Sequence, residues 1–412
     1  MDEQGRLPAG QLAARATGPL SGVRVLDLTT VVMGPAATQI LGDLGADVIK
    51  VESPGGDSMR WVGPAHDPSM GPLFLQANRN KRSVVLDLKS EEGKAALLSL
   101  VPDADVLVYN VRPQAMKRLG LGYDDVRVAN PSIIYAGAVG YGSDGPNTGQ
   151  AVYDDLIQAA AGIAGLFEAI DGAPRYAPVN ICDRTVGLYL AIALASALYH
   201  RERTGEGQEI EVPMFETMAA HVLADHMGGR AVSPPLGPPG YKRLMSRYRG
   251  PYPTKDGYLS IVVYTDKHWR AFTKFVGDPT KMEDDPRFAT QEMRTRNADE
   301  AGKYLAAKMP THTTAEWLAF CKEIDVPVAR VNSLEQIFTD PHLTAVNMFS
   351  EIEHPTEGAL VVPRFPVKFS RTPASIRRLA PTLGQHTAEV FAGNDNMAGW
   401  RMRPANDEGG ME

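Results

Sequence analysis

The amino-acid sequence predicts an α/β protein in which an open parallel sheet forms a large domain, accompanied by a smaller α+β domain. Between residues 23 and 140, short runs rich in β-branched residues alternate with amphipathic stretches, as in strands joined by crossover helices. The runs are almost continuously apolar, which is typical of strands covered on both faces. The chain has 412 residues, more than a single hydrophobic core usually serves, so we expect two domains.

The predicted elements follow one another in the order that such a sheet requires. Strands are expected at 23–28, 46–52, 83–88, 104–110 and 131–140, with helices at 35–45, 90–101 and 113–120 between them. Helices at 154–168 and 184–203, a strand at 208–214 and a helix ending near Met227 come next. The smaller domain should contain a strand at 257–264, helices near 267–276, 297–308 and 313–324, and a strand at 327–333.

A proline- and glycine-rich stretch at 231–243 indicates where the large domain is interrupted. We expect a flexible tail at 1–18, the first part of the large domain at 19–230, a linker at 231–245, the small domain at 246–335 and a return segment at 336–412. The return segment should complete the large domain with a strand within 361–370 and a helix within 383–391.

The composition and a few sequence segments indicate which partners and which cellular location to expect. A net charge of -7 argues against nucleic acid as the main partner, because a phosphate backbone requires a positive surface. Two cysteines are too few for a disulfide framework, and the N-terminus lacks the apolar core of a secretory signal, so we expect a cytoplasmic protein. The apolar stretch 186–199 is shorter than the roughly 20 residues that span a bilayer, and it predicts a core helix without membrane insertion.

Several common site motifs are missing from the sequence. The loop after the first strand, at 29–39, lacks the G-x-G-x-x-G fingerprint of dinucleotide-binding proteins, and the chain has no Walker A loop. Ser143 lacks the first glycine of the G-x-S-x-G nucleophile elbow. His221 and Asp225 share a predicted helix face, yet no third ligand accompanies them, so we expect no metal site.

Asp183 is the most informative residue, because it follows a short polar stretch and precedes a long apolar helical segment. We expect that helix to be buried on all sides and its first turn to open into the interior or a cleft. Backbone N–H groups and the positive end of the helix dipole favour the ionised carboxylate there, which is the form that a nucleophile needs. The alternative is an ordinary helix cap that contributes about 1 kcal/mol of stability.

Two further groups of charged residues point towards a site. Three cations at 79–82, together with Arg112 and Arg118, suit the phosphates of a cofactor, although each alone is typical of a solvated surface. Tyr153 is followed by two acids at 154–155 that open an amphipathic helix. One acid is expected to cap the helix and the other to face the site.

Taken together, these segments resemble the class III CoA-transferase family, which includes formyl-CoA:oxalate CoA-transferase, carnitine CoA-transferase and alpha-methylacyl-CoA racemase. The resemblance runs from about Leu20 to Val390. Besides the Asp183 segment, it is carried by PLSGVRVLDLT (19–29), GPAATQILGDLGADVIKVESPGGD (34–57), NRNKRSVVLDLK (78–89), YDDLIQAAAG (153–162), RTGEGQEIEVPM (203–214) and LGQHT (383–387). It implies an enzyme with a Rossmann-like large domain, whose two ring-shaped subunits interlock as a homodimer.

The resemblance also implies roles for individual residues. Asp183 matches the nucleophile of the family, and Asp154 matches a supporting glutamate. Coenzyme A, as substrate and carrier, is expected on the large domain. The positions that match the family's contacts are Val32, Met33, Leu86, Asn110, Val111 and Arg118, with Lys81 as a phosphate partner.

The implied reaction moves CoA from an acyl-CoA thioester to a small carboxylic acid through an anhydride and a CoA thioester of Asp183, with backbone amides at 32–34 stabilising the oxyanions. The racemase branch has a histidine where this chain has Tyr153, and a phenol with a pKa of about 10 is a poor base for an α-proton. The formyl-CoA branch has a glutamine at Val32 and a glycine-rich flap at 234–243, so formyl-CoA:oxalate exchange is not expected. An α-methylacyl-CoA racemase and a non-catalytic acyl-CoA binding protein are the alternatives.

Overall fold

The computed structural model describes residues 7–278 and 284–392. Within these residues the chain forms two compact units. The larger unit comprises the chain up to Ala161, Ala177–Ala219 and the chain from Pro341, and the smaller one comprises Gly162–Tyr176 and Ala220–Asp340. The boundaries expected from the sequence, at 230 and 335, fall inside the smaller unit.

The larger unit is built on a six-stranded parallel sheet. Its strands are β1 (Arg24–Leu28), β2 (Asp47–Glu52), β3 (Lys81–Val85), β4 (Val106–Tyr109), β5 (Ile134–Val139) and β6 (Gln208–Pro213). They lie in the order β3-β2-β1-β4-β5-β6, and every neighbouring pair is parallel. Every residue of β4 and β5 is buried, which explains the continuous apolar runs. The predicted α/β fold with an open parallel sheet is confirmed.

The strand order reverses at β1, because β2 lies on one side of it and β4 on the other. The connections that leave the carboxyl ends of β1 and β4 therefore diverge, and a crevice opens between the loops that follow these strands. Ligands of open α/β sheets bind at such a position. The loops that begin at Thr29 and Asn110 therefore lie where a ligand is expected.

Helices cover the sheet and continue along the chain. Up to residue 226 they are α1 (Met33–Asp43), α2 (Pro72–Ala77), α3 (Glu91–Leu100), α4 (Pro113–Arg118), α5 (Tyr123–Ala129), α6 (Asp154–Ala160), α7 (Ile163–Asp171), α8 (Ile181–Thr204) and α9 (Met214–His226).

Helix α8 packs one face against the larger unit and leaves the opposite face exposed. Its buried residues recur every fourth position along one stripe, at Cys182, Val186, Leu190, Leu194 and Leu198. This stripe faces the core, and α8 lies against α1. Leu188, Ile192 and Tyr199 on the other side are exposed, so the prediction of a helix buried on all sides is wrong for the single chain. By length and composition alone, α8 could also span a membrane.

The smaller unit contains the predicted α+β arrangement. Strands β7 (Tyr252–Pro253), β8 (Tyr258–Ile261) and β9 (Val328–Arg330) form an antiparallel sheet in that order. Its further helices are α10 (Asp266–Phe275), α11 (Gln291–Arg296), α12 (Ala298–Lys308), α13 (Thr314–Ile324) and α14 (Leu334–Phe338). The core of this unit centres on Phe272 and Trp317, whose stacked rings lie 5.3 Å apart between centroids.

The proline-rich stretch that the sequence suggested as a linker folds back on itself within the smaller unit. The Gly229 N–H donates to the Pro238 carbonyl at 3.0 Å, and the Gly240 N–H donates to the His226 carbonyl at 2.9 Å. Gly229 allows this close approach, because a Cβ there would lie 2.3 Å from the nitrogen of Gly237. The glycines of this stretch therefore allow the chain to form a compact loop.

The end of the chain returns to the larger unit. After α15 (Pro341–Ala345), strands β10 (Phe349–His354) and β11 (Gly358–Pro363) form a hairpin, and α16 (Thr387–Val390) follows. The His386 N–H donates to the Ser83 carbonyl of β3 at 2.9 Å. Residues 393–412 of the return segment lie outside the described residues.

Part of the predicted N-terminal tail is bound to this hairpin. The Gly10 N–H donates to the Glu351 carbonyl at 2.7 Å, and the Glu351 N–H donates to the Pro8 carbonyl at 3.0 Å. The Thr17 hydroxyl donates to the Pro373 carbonyl at 2.7 Å. Residues 8–17 are thus held by specific hydrogen bonds, and residues 1–6 lie outside the described part of the chain.

Three fully buried ion pairs lie within the larger unit. They are Lys81 with Asp27, Lys50 with Asp57 and Arg60 with Glu52, at N···O distances of 2.9, 2.9 and 2.7 Å. Burial alone would raise the pKa of Asp27, but the neighbouring ammonium groups outweigh it and lower that pKa to about 2. Each buried charge therefore has an opposite charge beside it, which is the condition for its burial.

These pairs hold the loop that follows β1. Lys50 Nζ donates to the Thr29 carbonyl at 2.8 Å, and the Val31 N–H donates to Asp57 Oδ1 at 3.2 Å. Val31 adopts a φ of 71°, a left-handed conformation that costs a β-branched residue energy. The ion pairs thus fix an unfavourable backbone conformation at the entrance to α1.

Candidate active site

A cavity of about 450 Å³ opens at the crevice where the strand order reverses. The loops after β1, β4 and β5 line it, at residues 30–33, 110–113 and 138–141. Residues 148–153 and the side of α8 that carries Asp183 complete the wall. Asp183, which the sequence singled out, therefore reaches the cavity that the sheet topology indicates.

Asp183 occupies the third position of α8, and the start of this helix is capped from outside. The preceding residue at the cap position, Asn180, makes no side-chain hydrogen bond to the first turn. Instead, the backbone N–H of Asp183 donates to Asp154 Oδ1 at 2.9 Å. A carboxylate from another helix thus satisfies one of the free N–H groups of the first turn. The Asp183 side chain is not needed as a cap and remains available to the cavity.

Asp154 is held in place by Gln158, one turn later on α6. Gln158 Nε2 donates to Asp154 Oδ2 at 2.6 Å, and Gln158 Oε1 accepts the Ala177 N–H at 2.8 Å. Both side chains are buried, with exposures of 6% for Asp154 and 0% for Gln158. Gln158 therefore joins α6 to the segment that leads into α8. Sequence reasoning missed Gln158, although its spacing of four residues from Asp154 is the spacing of neighbours on one helix face.

The electrostatics of Asp183 differ from the prediction. Burial first, and the negative charge of Asp154 second, raise the pKa of Asp183 to about 6, while Arg184 opposes them. The helix dipole was expected to favour the charged form, but burial and a neighbouring carboxylate have the larger effect. With a pKa of about 6, the Asp183 carboxylate is still mostly ionised at neutral pH.

Free backbone N–H groups lie at the start of α1, where Val32 and Met33 line the same cavity. Within the described residues, the amides of Val32, Met33 and Gly34 have no hydrogen-bond acceptor. Gly34 permits this turn, because a Cβ there would lie 2.3 Å from the Cβ of Thr29. Free N–H groups at a helix start attract negative charge, so this turn can stabilise an oxyanion.

Gly187 brings α8 close to this turn of α1. A Cβ at Gly187 would lie 2.8 Å from the Met33 carbonyl oxygen, closer than real Cβ atoms come. Gly187 lies one helical turn after Asp183, so the two residues share a face of α8. The close approach at Gly187 therefore packs the start of α8 against the turn of α1 that carries the free amides.

The sequence model of CoA-transferase family III matches residues 20–387 of this chain. The chain belongs to CoA-transferase family III. It is thus an enzyme of a family that uses coenzyme A, and its nearly complete match agrees with the resemblance found in the sequence.

Characterised relatives cover almost the whole of this transferase. The succinate–glutarate CoA-transferase of Agrobacterium fabrum is 36% identical over 385 residues, which are 91% of this chain and 95% of the relative. The succinyl-CoA:glutarate CoA-transferase of Mus musculus is 35% identical over 90% of this chain and 86% of its own. The chain is also similar to the solved structure of a CAIB/BAIF family protein from Brucella suis, with a TM-score of 0.77, 31% identity and coverage of 91% and 99%.

The transferase brings most of its predicted site residues to one cavity. Val32, Met33, Asn110, Val111, Tyr153 and Asp183 all line it, and Asp154 lies behind Asp183. The Asn110 side chain also ties two loops together. Its Oδ1 accepts the Thr30 N–H at 2.9 Å and its Nδ2 donates to the Thr30 carbonyl at 2.8 Å.

Lys81 does not occupy the position predicted for a phosphate partner. Its side chain is fully buried, and its ammonium group donates to Asp27, to Asn78 and to the Pro35 carbonyl at 2.9, 2.9 and 3.0 Å. All three N–H donors are therefore used within the protein, and the prediction for Lys81 is wrong. A lysine within a cluster of cations looks the same in sequence whether its partner is a ligand or a carboxylate 54 residues away.

Leu86, Arg118 and the cations at 79–82 do not line the cavity. Arg79 pairs with Asp43 at 2.7 Å, so the cluster at 79–82 is structural. The side chain of Leu86 is buried in the sheet core, and Arg118 at the end of α4 is exposed and does not line the cavity. Arg112 does line it, and within the described residues Arg112 has no ion-pair partner.

No group of three or more histidine, cysteine, aspartate or glutamate side chains that could hold a metal ion occurs in residues 7–278 and 284–392.

Replacing Asp154 by asparagine should lower the pKa of Asp183. The asparagine oxygen can still accept the Asp183 N–H, but the negative charge that raises this pKa is removed. Because burial remains, the pKa should fall below about 6 without reaching the ordinary value of 3.8. The measurement is an NMR pH titration of the 13C-labelled carboxyl group of Asp183. Asp155→Asn, at the exposed neighbouring acid, is the control, and an unchanged or higher pKa in Asp154→Asn would contradict the assignment.

Proposed function

We propose that this transferase moves coenzyme A from an acyl-CoA thioester to a small carboxylic acid, with Asp183 as the nucleophile. The observation that supports this proposal most directly is the position of Asp183. Its carboxylate reaches a cavity in which free backbone amides are available, and its own helix is capped by a different carboxylate. Family membership supports CoA as the group that is transferred.

The chemistry balances without a net proton transfer. A carboxylate oxygen of Asp183 attacks the thioester carbonyl, the C–S bond breaks, and CoA thiolate leaves behind a mixed anhydride. The thiolate then attacks the aspartyl carbonyl carbon and expels the donor acid as a carboxylate, which gives an aspartyl-CoA thioester. The acceptor carboxylate attacks that thioester and releases the thiolate. Finally, the thiolate attacks the acyl carbonyl of the new anhydride and regenerates Asp183.

The raised pKa of Asp183 suits the first step. Its negative charge is disfavoured by burial and by Asp154, and conversion into a neutral anhydride relieves both penalties. A nucleophile with a pKa of about 6 is also ionised at neutral pH. Burial thus destabilises the charged carboxylate, yet at neutral pH most Asp183 side chains remain in the ionised form that can attack.

Each carbonyl attack passes through an oxyanion, and the free amides of Val32, Met33 and Gly34 are the donors that we assign to it. Donors that are already oriented cost no reorganisation during the reaction, and removing one such donor typically costs about 3 kcal/mol of transition-state stabilisation. The strained loop at Val31, held by buried Lys50 and Asp57, keeps these donors in place.

CoA is expected along the wall formed by the loops after β1 and β4. Met33, Asn110 and Val111 line this wall, and Arg112 at the same loop supplies a cation for a phosphate group. The names of the relatives support small dicarboxylic acids as donor and acceptor, because they include succinate–glutarate and succinyl-CoA:mesaconate CoA-transferases.

Racemisation of an α-methylacyl-CoA finds no support in the geometry. It requires a pair of acid and base groups at an α-carbon. Tyr153 lies where the racemase branch has its histidine, and its side chain is 67% exposed. The described residues that line the cavity include no histidine.

We also propose that two copies of the chain form the interlocked homodimer. The apolar outer side of α8, with Leu188, Ile192 and Tyr199, supports this arrangement, because exposed apolar patches of this kind mark interaction surfaces. The resemblance to the family implies the same assembly.

Asp183→Asn should abolish CoA exchange between succinyl-CoA and glutarate, with kcat falling by about 10³-fold or more, because an amide cannot form the anhydride. Chromatography of the CoA esters measures the exchange, and circular dichroism checks the fold. Asp155→Asn, on the exposed side of α6, should stay within a few-fold of the wild-type rate. Exchange at a near-normal rate in Asp183→Asn refutes the proposal, whereas deuterium entering the α-carbon of a 2-methylacyl-CoA would favour racemisation.

Ile192→Lys should weaken the dimer, because it places a charge in the centre of the apolar side of α8. Sedimentation velocity at micromolar concentration should show a dimer for the wild type and a larger monomer fraction for the variant. Val128→Lys on α5, at a side chain that is 82% exposed, is the control and should remain dimeric. A wild-type protein that sediments as a monomer would contradict the proposal.

A further inference from the structure

The smaller unit contains a cavity of about 310 Å³ that is lined entirely by its own residues. It lies between the segment 243–252, strand β8 and helices α11 and α12. We infer that this cavity binds a small organic anion, in which a carboxylate or phosphate group is joined to a short apolar body. The inference goes beyond CoA transfer and does not depend on Asp183.

Two guanidinium groups provide the positive side of the cavity. Arg243 and Arg249 line it, and both lie close enough to the Tyr252 hydroxyl to oppose the rise in pKa that burial causes at that phenol. Neither arginine forms an ion pair within the described residues. Arg243 also lies 6.0 Å from the ring centroid of Tyr264, which holds it at the rim. Two free guanidinium groups around one cavity suit a planar or tetrahedral anion.

Arg294, the third arginine that lines the cavity, differs from Arg243 and Arg249 because it already has an ion-pair partner within the protein. It pairs with Asp266, donates to the Phe288 carbonyl at 2.6 Å and lies over the ring of Trp269. Its charge is compensated within the protein, so it contributes no attraction for a ligand. The positive charge available to a ligand therefore comes from Arg243 and Arg249.

The floor of the cavity is apolar. It consists of side chains from the core of the smaller unit, among them Ile261, Val263, Trp269 and Leu305. An inorganic ion would leave this surface without a partner, whereas a short carbon body would cover it. The volume is at the lower end of the range found for small-molecule sites.

The cationic wall is held against this floor. Gly302 on α12 allows the Tyr248 backbone to come close, because a Cβ at Gly302 would lie 2.8 Å from the Tyr248 Cβ. The Ser246 side chain is buried, and its hydroxyl accepts the Tyr248 N–H at 3.3 Å. The segment that carries both arginines is therefore packed against α12, with Arg243 half-buried and Arg249 exposed.

A dicarboxylic acid and a phosphorylated nucleoside both present the chemistry described. The test uses the complete chain with Asp183→Asn, so that no turnover occurs, and follows the Ile261 δ1 methyl signal by NMR. Ile261→Val assigns that signal. Glutarate, adenosine 3′,5′-bisphosphate and inorganic phosphate are titrated separately. We expect a saturable shift of the Ile261 signal with glutarate or with the bisphosphate, and the one that binds identifies the source of the anion.

In a protein that also carries Arg243→Gln and Arg249→Gln, the affinity should fall at least tenfold. Arg247→Gln, at an exposed arginine that does not line the cavity, should leave it unchanged. The inference is overturned if neither organic anion shifts the Ile261 signal. It is also overturned if the double arginine variant binds as tightly as the parent, or if inorganic phosphate alone saturates the shift.

Discussion

The hydrogen bond between the Asp183 N–H and the Asp154 carboxylate is the interaction on which the site depends. It caps α8 from outside, so that the Asp183 side chain takes no part in capping the helix. The same carboxylate raises the pKa of Asp183. One contact therefore holds the start of α8 and adds to the larger effect of burial on the pKa of the proposed nucleophile, and Gln158 fixes that contact from the opposite side.

The other side of the cavity depends on a second constraint, the buried ion pairs under the β1 loop. Lys50 and Asp57 hold the loop so that Val31 keeps its left-handed conformation and the following amides stay free. Burying these charges is energetically unfavourable unless each lies beside an opposite charge. The ion pairs meet this condition. A donor turn held by buried ion pairs thus lines the same cavity as a carboxylate whose charge is disfavoured, which is the combination that the proposed acyl transfer to Asp183 needs.

Much of the fold and the position of Asp183 at a cavity could be predicted, because both leave local signals. Apolar runs covered on both faces identified the first five strands of the parallel sheet, and the apolar segment after Asp183 identified α8. Lys81 could not be assigned from local sequence, since its partner Asp27 lies on another strand. The exposed side of α8 was missed because apolar composition does not show what covers a helix. No local sequence pattern indicates a role for Arg243 and Arg249 either, since the cavity that they line is built from segments distant in the sequence.

Trapping the enzyme-bound intermediate tests the central claim most directly. The wild-type enzyme is incubated with succinyl-CoA, treated with hydroxylamine, digested and analysed by mass spectrometry of the peptides. The account predicts a hydroxamate on Asp183, because both its anhydride and its CoA thioester react with hydroxylamine at the aspartyl carbonyl. It predicts none on Asp154, whose oxygens are held by the Asp183 N–H and by Gln158. A hydroxamate on another residue, or exchange of CoA at full rate without any adduct on Asp183, would contradict it.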